Sequence, residues 1–578
     1  MAGDTHDFVI KGGTVIDGTG RPSFQADVAV TDGRISHVGP DPGPAKRVYD
    51  ADGLTVIPGF VDVHTHFDGQ ATWDNRLLPS SEHGVTTVIA GNCGVGFAPA
   101  HVDGHDRLID FMEGVEDIPG TALHEGISWE WETFSDFLAT LDSVPHDADL
   151  GVYLPHCPLR IYVMGERARS GVEATGAEIA AMASLVREAV LDGAMGFSTS
   201  RTINHRTVAG EHIPTLSAAS SELLAIARSM GETGRGIIQL TTDFNDPEAE
   251  FAMMRRLSVE SGRPLSFSLV QEPGTPDRYR LLLDLLADAV RAGVPMRAQV
   301  PARGVGLVMG LDSSLNPYSR NSAYLEIDQL PLAEKLAAMR EPGFLPRLLE
   351  ADRRLHETGR TEGRLLYDYD RIFELGDPPD YEPGPENSIG ARAARERVNP
   401  AELMYRLLTR GDGSTLLYAA ITNAVPGRLD VVGEMLQDPN TVVGLSDAGA
   451  HVGLIVDGSF PTTLLGYWGR DRADGTIPLE RLVRKQTSET AGLVGLDDRG
   501  RLEVGLRADI NVVDMSTLRP HRPRVVHDLP AGGRRFLQGA DGYRHTFVAG
   551  VETYRDGEPT GELPGRLVRG RPFTAVTG

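Results

Sequence analysis

Two textures of apolar and polar positions alternate along the chain. Before about residue 57 and after about 500 the apolar runs are short and mostly of period two, the pattern of strands with one buried face. They fall at 7–16, 26–30, 35–38 and 55–57, then at 508–514 and 545–554. Asp32-Gly33 lies between two of them, and Asp556-Gly557 closes the last, each a hairpin-turn signal. These fragments are too few to make a stable sheet at either end alone. Pairing 1–57 with 499–560 in one small β-sandwich is the economical arrangement.

The long middle alternates differently. Apolar strand candidates stand at 60–63, 86–90, 151–154, 193–198, 236–240, 265–270, 294–300 and 441–445. Helical patterns separate most of them, as at 177–192, 220–233, 248–261 and 277–292. Strand–helix alternation over several hundred residues predicts an α/β fold: a (β/α)8 TIM-like barrel across 58–498, ahead of an open doubly wound sheet. The interval before the eighth strand is long, so an insertion is expected at about 312–400. Within it, 359–400 is rich in Pro, Gly and charge, which predicts a lid over the site rather than core. The closing 561–578 carries Arg566, Arg569 and Arg571 and is expected to be a tail able to embrace a neighbouring copy in a homo-oligomer.

Composition narrows the partners. Of 578 residues, 40% are apolar and 24% charged, enough for a substantial core. Fifty-six basic against 81 acidic residues give a net charge of −25, which repels polyanions and argues against nucleic acid. No apolar run approaches the roughly 20 residues of a membrane helix, and the first residues lack the basic start and apolar stretch of a signal peptide. The cytoplasm is the expected location, and two cysteines, Cys93 and Cys157, suit its reducing conditions.

The sharpest chemical feature is Pro58-Gly59-Phe60-Val61-Asp62-Val63-His64-Thr65-His66. Residues two apart in a strand share a face, so His64 and His66 both point inward and can grip one metal ion. Cys93, in Gly91-Asn92-Cys93-Gly94, follows the second strand; it is either a thiolate ligand beside them or small packing in a Gly-rich turn. Asp447 ends the eighth strand, where a carboxylate can coordinate metal and move a proton, or simply form an Asx turn with His451 an ordinary loop residue.

Together these motifs resemble the amidohydrolase superfamily, specifically the N-acyl-D-amino-acid deacylases. Further matching segments are Phe8-Val9-Ile10-Lys11-Gly12-Gly13, Ser81-Glu82-His83-Gly84-Val85-Thr86-Thr87, Met112-Glu113-Gly114-Val115-Glu116-Asp117 and Gly505-Leu506-Arg507-Ala508-Asp509-Ile510. The resemblance implies a barrel with a β-sandwich from both chain ends, zinc, and hydrolysis of a C–N amide bond in an N-acylated D-amino acid. It implies His64, His66 and Cys93 as ligands and Asp447 as the catalytic aspartate.

The departures from that family matter as much. Its histidines at the ends of strands five and six have no counterpart here, since no histidine occurs between His212 and His356. Gln239 stands about where one is expected, and an amide oxygen is a weak zinc ligand. Nor do any of the four lysines, Lys11, Lys46, Lys335 and Lys485, lie on strand four to bridge two ions. One Zn2+ is therefore expected, held by His64, His66 and Asp447 with Cys93 as fourth ligand; two ions are the alternative. His156, Arg160, Arg201 and His205 follow strands three and four and are candidates, with Gln239, for contacting substrate. Arg206 and Arg303 are further candidates for a substrate carboxylate. The alternatives are the same barrel running cyclic amide hydrolysis, cyclisation, condensation or decarboxylation, or a non-catalytic binding protein.

Overall fold

The computed structural model describes residues 5–357, 364–424 and 427–573. Among these, both chain ends enter one sheet of nine strands. His6–Val15, Phe24–Thr31, Arg34–Gly39, Ala45–Asp50 and Thr55–Pro58 come from the beginning; Ile510–Val513, Tyr543–Val548, Val551–Arg555 and Glu558–Pro559 come from the end. Thr55–Pro58 is the joint, parallel to His6–Val15 and antiparallel to Ile510–Val513. Phe8, Ile10, Val28, Val56, Val512 and Phe547 share one buried cluster, and the Phe8 and Phe547 rings stack at 4.8 Å. Both ends contribute to this one core.

The turn residues act as expected. Asp32 and Gly33 have φ of 50° and 71°, and Asp556 and Gly557 have 49° and 79°, the mirror-image turn that suits the right-handed twist of paired strands. The run at 545–554 is not one strand but two. Ala549 and Gly550, at φ 50° and 76°, fold it into a hairpin, a turn that Ala-Gly between apolar residues conceals.

Between the ends, eight parallel strands follow one another in chain order: Phe60–Asp62, Val85–Ala90, Asp149–Val152 continued by Leu154–Pro155, Gly196–Arg201, Ile237–Thr242, Leu265–Ser268, Met296–Val300 and Thr441–Val443. A parallel bridge from Thr65 to Ala448 brings the last back to the first. Helices Gly176–Asp192, Ser220–Gly231, Pro247–Ser261 and Arg278–Arg291 intervene. Their starts are locally specified: Thr175 and Glu178 form a capping box, and Asp246 caps a helix with Pro247 in its first turn. The result is a TIM-barrel-like α/β arrangement whose strand C-termini share one face.

The insertion differs from the expectation. Gly306–Met309, Ile372–Glu374 and Leu417–Ala420 form an antiparallel sheet, and Met309, Tyr318, Leu336, Leu348, Ile389 and Leu403 build a separate apolar cluster beside it. Ile372, Ile389 and Ala393, inside the stretch read as lid, are buried in that cluster. Its elements are short and broken by Pro and Gly, so composition masks a core; residues 358–363 lie outside the described residues. The final stretch also differs. As far as Phe573 it lies along its own chain, through bridges His146–Gly565, Leu150–Leu567 and Arg235–Pro572. No described helix is long and apolar enough to cross a membrane.

Candidate metal centre

His64 and His66 follow directly from the first strand of the parallel set, and each is 1% exposed. His64 Nε2 lies 3.3 Å from Cys93 Sγ and 3.2 Å from Asp447 Oδ1. His66 Nε2 lies 3.7 Å from the same oxygen. Among the described residues, His64, His66 and Cys93 place one donor atom each within 4.8 Å of one another. The tautomer of His64 is fixed from behind. Its Nδ1 is 2.6 Å from Gln299 Oε1, an acceptor, while Gln299 Nε2 donates to Ser266 Oγ at 2.9 Å. Nδ1 therefore carries a proton, and Nε2 is the nitrogen left to face the centre. Behind His66 stands the buried carboxylate of Glu116, with Oε1 3.4 Å from Nδ1.

Cys93 arrives on a turn built for it. Gly91, Cys93 and Gly94 all have left-handed φ, 77°, 55° and 67°. A Cβ on Gly91 would sit 2.5 Å from Tyr153 O, and one on Gly94 2.8 Å from Thr199 Cα. The fourth and fifth strands hold this turn: Gly94 N donates to Ser198 Oγ at 3.1 Å, and Cys93 N donates to Gln239 Oε1 at 2.9 Å. Asn92 Nδ2 donates to Thr65 O and Ile89 O, tying the turn to the histidine strand.

Asp447 comes from the other side, in a backbone of φ 47°, and its side chain is 24% exposed, more open than either imidazole. Next to it, Ser446 Oγ donates to Asp62 Oδ2 at 2.6 Å, and Asp62 Oδ1 accepts His64 N–H at 3.2 Å. The eighth strand's end is thus fastened to the first. Burial lifts the Asp62 carboxyl to about 6 against those two hydrogen bonds.

The charges complement a cation. Burial alone opposes charge on the imidazoles, yet Cys93 and Asp447 raise His64 to about 9, and Glu116 with Asp447 raises His66 well above its usual value. Burial likewise opposes a thiolate, but His64 and His66 bring Cys93 down to about 7. Burial would raise Asp447, and the two histidines hold it well below the usual carboxylate range. Two nitrogens, a sulfur and an oxygen thus meet at separations of 3.2, 3.3 and 3.7 Å. Bonds of about 2.0–2.3 Å to one tetrahedral ion give edges of roughly 3.3–3.8 Å. The donor set fits a divalent metal.

Other expected site residues sit elsewhere. His156 is fully buried with Nδ1 2.8 Å from Thr199 Oγ1 and Nε2 2.8 Å from Glu222 Oε1, so neither ring nitrogen is open to a ligand. Arg160 pairs with the same carboxylate at 3.2 Å. Arg201 donates to Ala218 O, and Arg303 is buried against Asp457 at 2.9 Å. Gln239 uses its oxygen on Cys93 N–H, which makes it a support for the turn rather than a free ligand. His205 is half-buried in the loop after the fourth strand, its Nδ1 2.9 Å from Ser200 Oγ; loss of hydration lowers it to about 4, and Glu116, His451, His66 and Asp447 act on it electrostatically. Cys157 is packing, its thiol pushed up by burial to about 12. Glu116 and Gln299 went unassigned in the sequence. Glu116 reads like any acid of the helix His105–Glu116, and Gln299 like any strand polar residue.

An α/β chain with a His-x-His pair, a thiol and a carboxylate converging at strand ends has the form of a metal-dependent hydrolase. The chain belongs to the amidohydrolase family, whose family model matches residues 47–559, and it is a hydrolase of carbon–nitrogen bonds other than peptide bonds. It is 29% identical over 575 residues to the D-aminoacylase of Alcaligenes xylosoxydans xylosoxydans, covering 97% of each chain. It is 28% identical over 579 residues to the N-acyl-D-aspartate deacylase of that organism, covering 97% of this chain and 95% of the other. Among solved structures it is similar to the N-acyl-D-glutamate deacylase from Bordetella bronchiseptica, complexed with zinc and a phosphonate inhibitor. That likeness has a TM-score of 0.66 at 25% identity, over 98% of this chain and 100% of the other.

Proposed function

We propose that this amidohydrolase is a cytoplasmic deacylase of N-acylated amino acids that works with one zinc ion. His64, His66 and Cys93 would hold the ion, with Asp447 beside it as proton carrier. The observation that carries the proposal is the convergence of these four side chains at the ends of strands one, two and eight. Three protein ligands leave a fourth position open, as a catalytic site requires, and the greater exposure of Asp447 supports its being the mobile member. Cys93 and Cys157 are both unpaired, which supports a reducing compartment.

Bound there, a zinc ion supplies Lewis acidity, polarising an amide carbonyl and lowering the pKa of water. The chain's own groups do the rest. Asp447 takes a proton from the attacking water and delivers it to the departing nitrogen. His205, kept neutral by burial, donates to the developing oxyanion. Gln299 and Glu116 hold the two imidazoles in register. In this scheme 58–498 is a closed (β/α)8 barrel bearing the site and the end strands are its β-sandwich, while the insertion spans about 306–420, wider than its sequence suggests.

The test is metal content of protein purified without chelator, followed by turnover of N-acyl-D- and N-acyl-L-amino acids. About one equivalent of zinc and release of the free amino acid are expected; no zinc uptake, or zinc-loaded protein inert across both panels, refutes the proposal. The strand-five and strand-six ends carry no histidine, and the hydroxyls of Thr241 and Ser268 lie 2.9 Å apart there. That departure favours one second reading, a cyclic amide substrate on the same centre, which product mass distinguishes: ring opening adds water without releasing a fragment.

A further inference from the structure

Glu116 is buried, 2% exposed, and has no part in the chemistry above beyond standing behind His66. Its two oxygens face two different histidines. Oε1 is 3.4 Å from His66 Nδ1, a buried nitrogen without a hydrogen-bond partner. Oε2 is 3.4 Å from His451 Nε2. The main-chain carbonyl of Glu116 also accepts His451 N–H. His451 lies four residues beyond Asp447, in left-handed backbone of φ 47°, with its side chain 31% exposed. Ala450 N donates to Asp447 O at 2.9 Å, and Leu454 N and Ile455 N donate to His451 O. The turn carrying Asp447 is therefore closed at its far end by His451, and His451 is held by Glu116. On the opposite side Phe536 N donates to Val452 O at 2.7 Å.

We propose that Glu116 is a positioning residue serving two groups at once, so that the orientation of His66 and the seating of the 447–451 turn are coupled through one carboxylate. The role rests on the metal centre proposed above. Drawing His66 Nδ1–H toward Oε1 fixes the ring with Nε2 inward, as Gln299 does for His64. The other oxygen keeps His451, and with it Asp447, at the mouth. Metal held at His66 then stabilises the turn, and a seated turn strengthens metal binding in return.

The test is a double-mutant cycle on the full chain, reading zinc affinity by chelator competition and amide hydrogen exchange of 447–455 with and without zinc. Glu116→Ala should weaken zinc binding about 10–100-fold and abolish the zinc-dependent protection of 447–455. His451→Ala should weaken binding less, and should add nothing in the Glu116→Ala background. Glu116→Gln keeps the shape and serves where the alanine variant does not fold; it should recover part of the affinity. Wild-type affinity in Glu116→Ala or Glu116→Gln, or effects of the two sites that simply add, would overturn the coupling while leaving the metal centre standing. A wild-type chain that takes up no zinc would overturn the centre itself, and the coupling with it.

Discussion

Asp447 touches both imidazoles through one oxygen yet remains the most open of the four converging groups. Ligand and proton carrier are distinct roles, and one substitution separates them. Asp447→Asn keeps the volume and removes the basic oxygen, so turnover should fall about 10²–10⁴-fold. Metal content should stay unchanged because His64, His66 and Cys93 remain. Kinetics and metal analysis on the same preparation check this; loss of the metal would place Asp447 among the obligatory ligands. His64 and His66 were legible in the sequence because a strand's period of two is local. The sequence did not show that Gln299, 235 positions from His64, sets its tautomer, or that Glu222 occupies His156 from 66 positions away.

The turn at Gly91–Gly94 is the element on which the sulfur donor depends. Its left-handed backbone and its contacts with Tyr153 and Thr199 leave no room for a Cβ on either glycine. Gly94→Ala should destabilise the protein by about 1–3 kcal/mol and move Cys93 away from His64. A cobalt-loaded sample would then lose its thiolate charge-transfer absorption; retention of that band would show that Cys93 tolerates the shift. A second element, Ser80–His83, fastens the second strand to the rest. His83 Nδ1 lies 2.7 Å from Thr462 Oγ1 and Nε2 2.6 Å from Gln538 O. Burial lowers its pKa from 6.5 to about 4. Between those values the unfolded chain binds the proton and the folded one does not, so stability is full above 6.5 and declines as pH falls toward 4. Urea midpoints across that window should fall less steeply in His83→Gln than in the wild type; parallel curves would remove His83 as the cause.

At the scale of the whole molecule, Asp149 fastens the C-terminal segment to the parallel strands. It is fully buried, pairs with Arg499 at 2.7 Å and Arg507 at 2.9 Å, and accepts Arg566 N–H at 3.0 Å. Asp149→Ala leaves two buried guanidinium groups short of a counter-charge, which costs about 3–5 kcal/mol. Chemical denaturation should show a loss of that size; a loss under about 1 kcal/mol, the range of exposed pairs, would mean that Asp498 and Asp509, the other partners of these two arginines, suffice. Arg507 and Asp509 lie in the closing motif shared with the family resemblance, so that motif has a structural use: it docks the end sheet.

The amino-acid sequence by itself determined the strand–helix alternation, the paired chain ends, the hairpin turns and the inward-facing His64 and His66. Each of these follows from local periodicity, turn chemistry or a short motif. Tertiary structure alone decided which polar groups meet. It turned Gln239 from a weak ligand into a support for Cys93, withdrew His156 and Arg160 into a pair with Glu222, and set Glu116 between His66 and His451. It also gave the insertion a core of its own. The physical reason is range: backbone preference acts over a few residues, whereas burial makes each polar group find a partner wherever the fold places one.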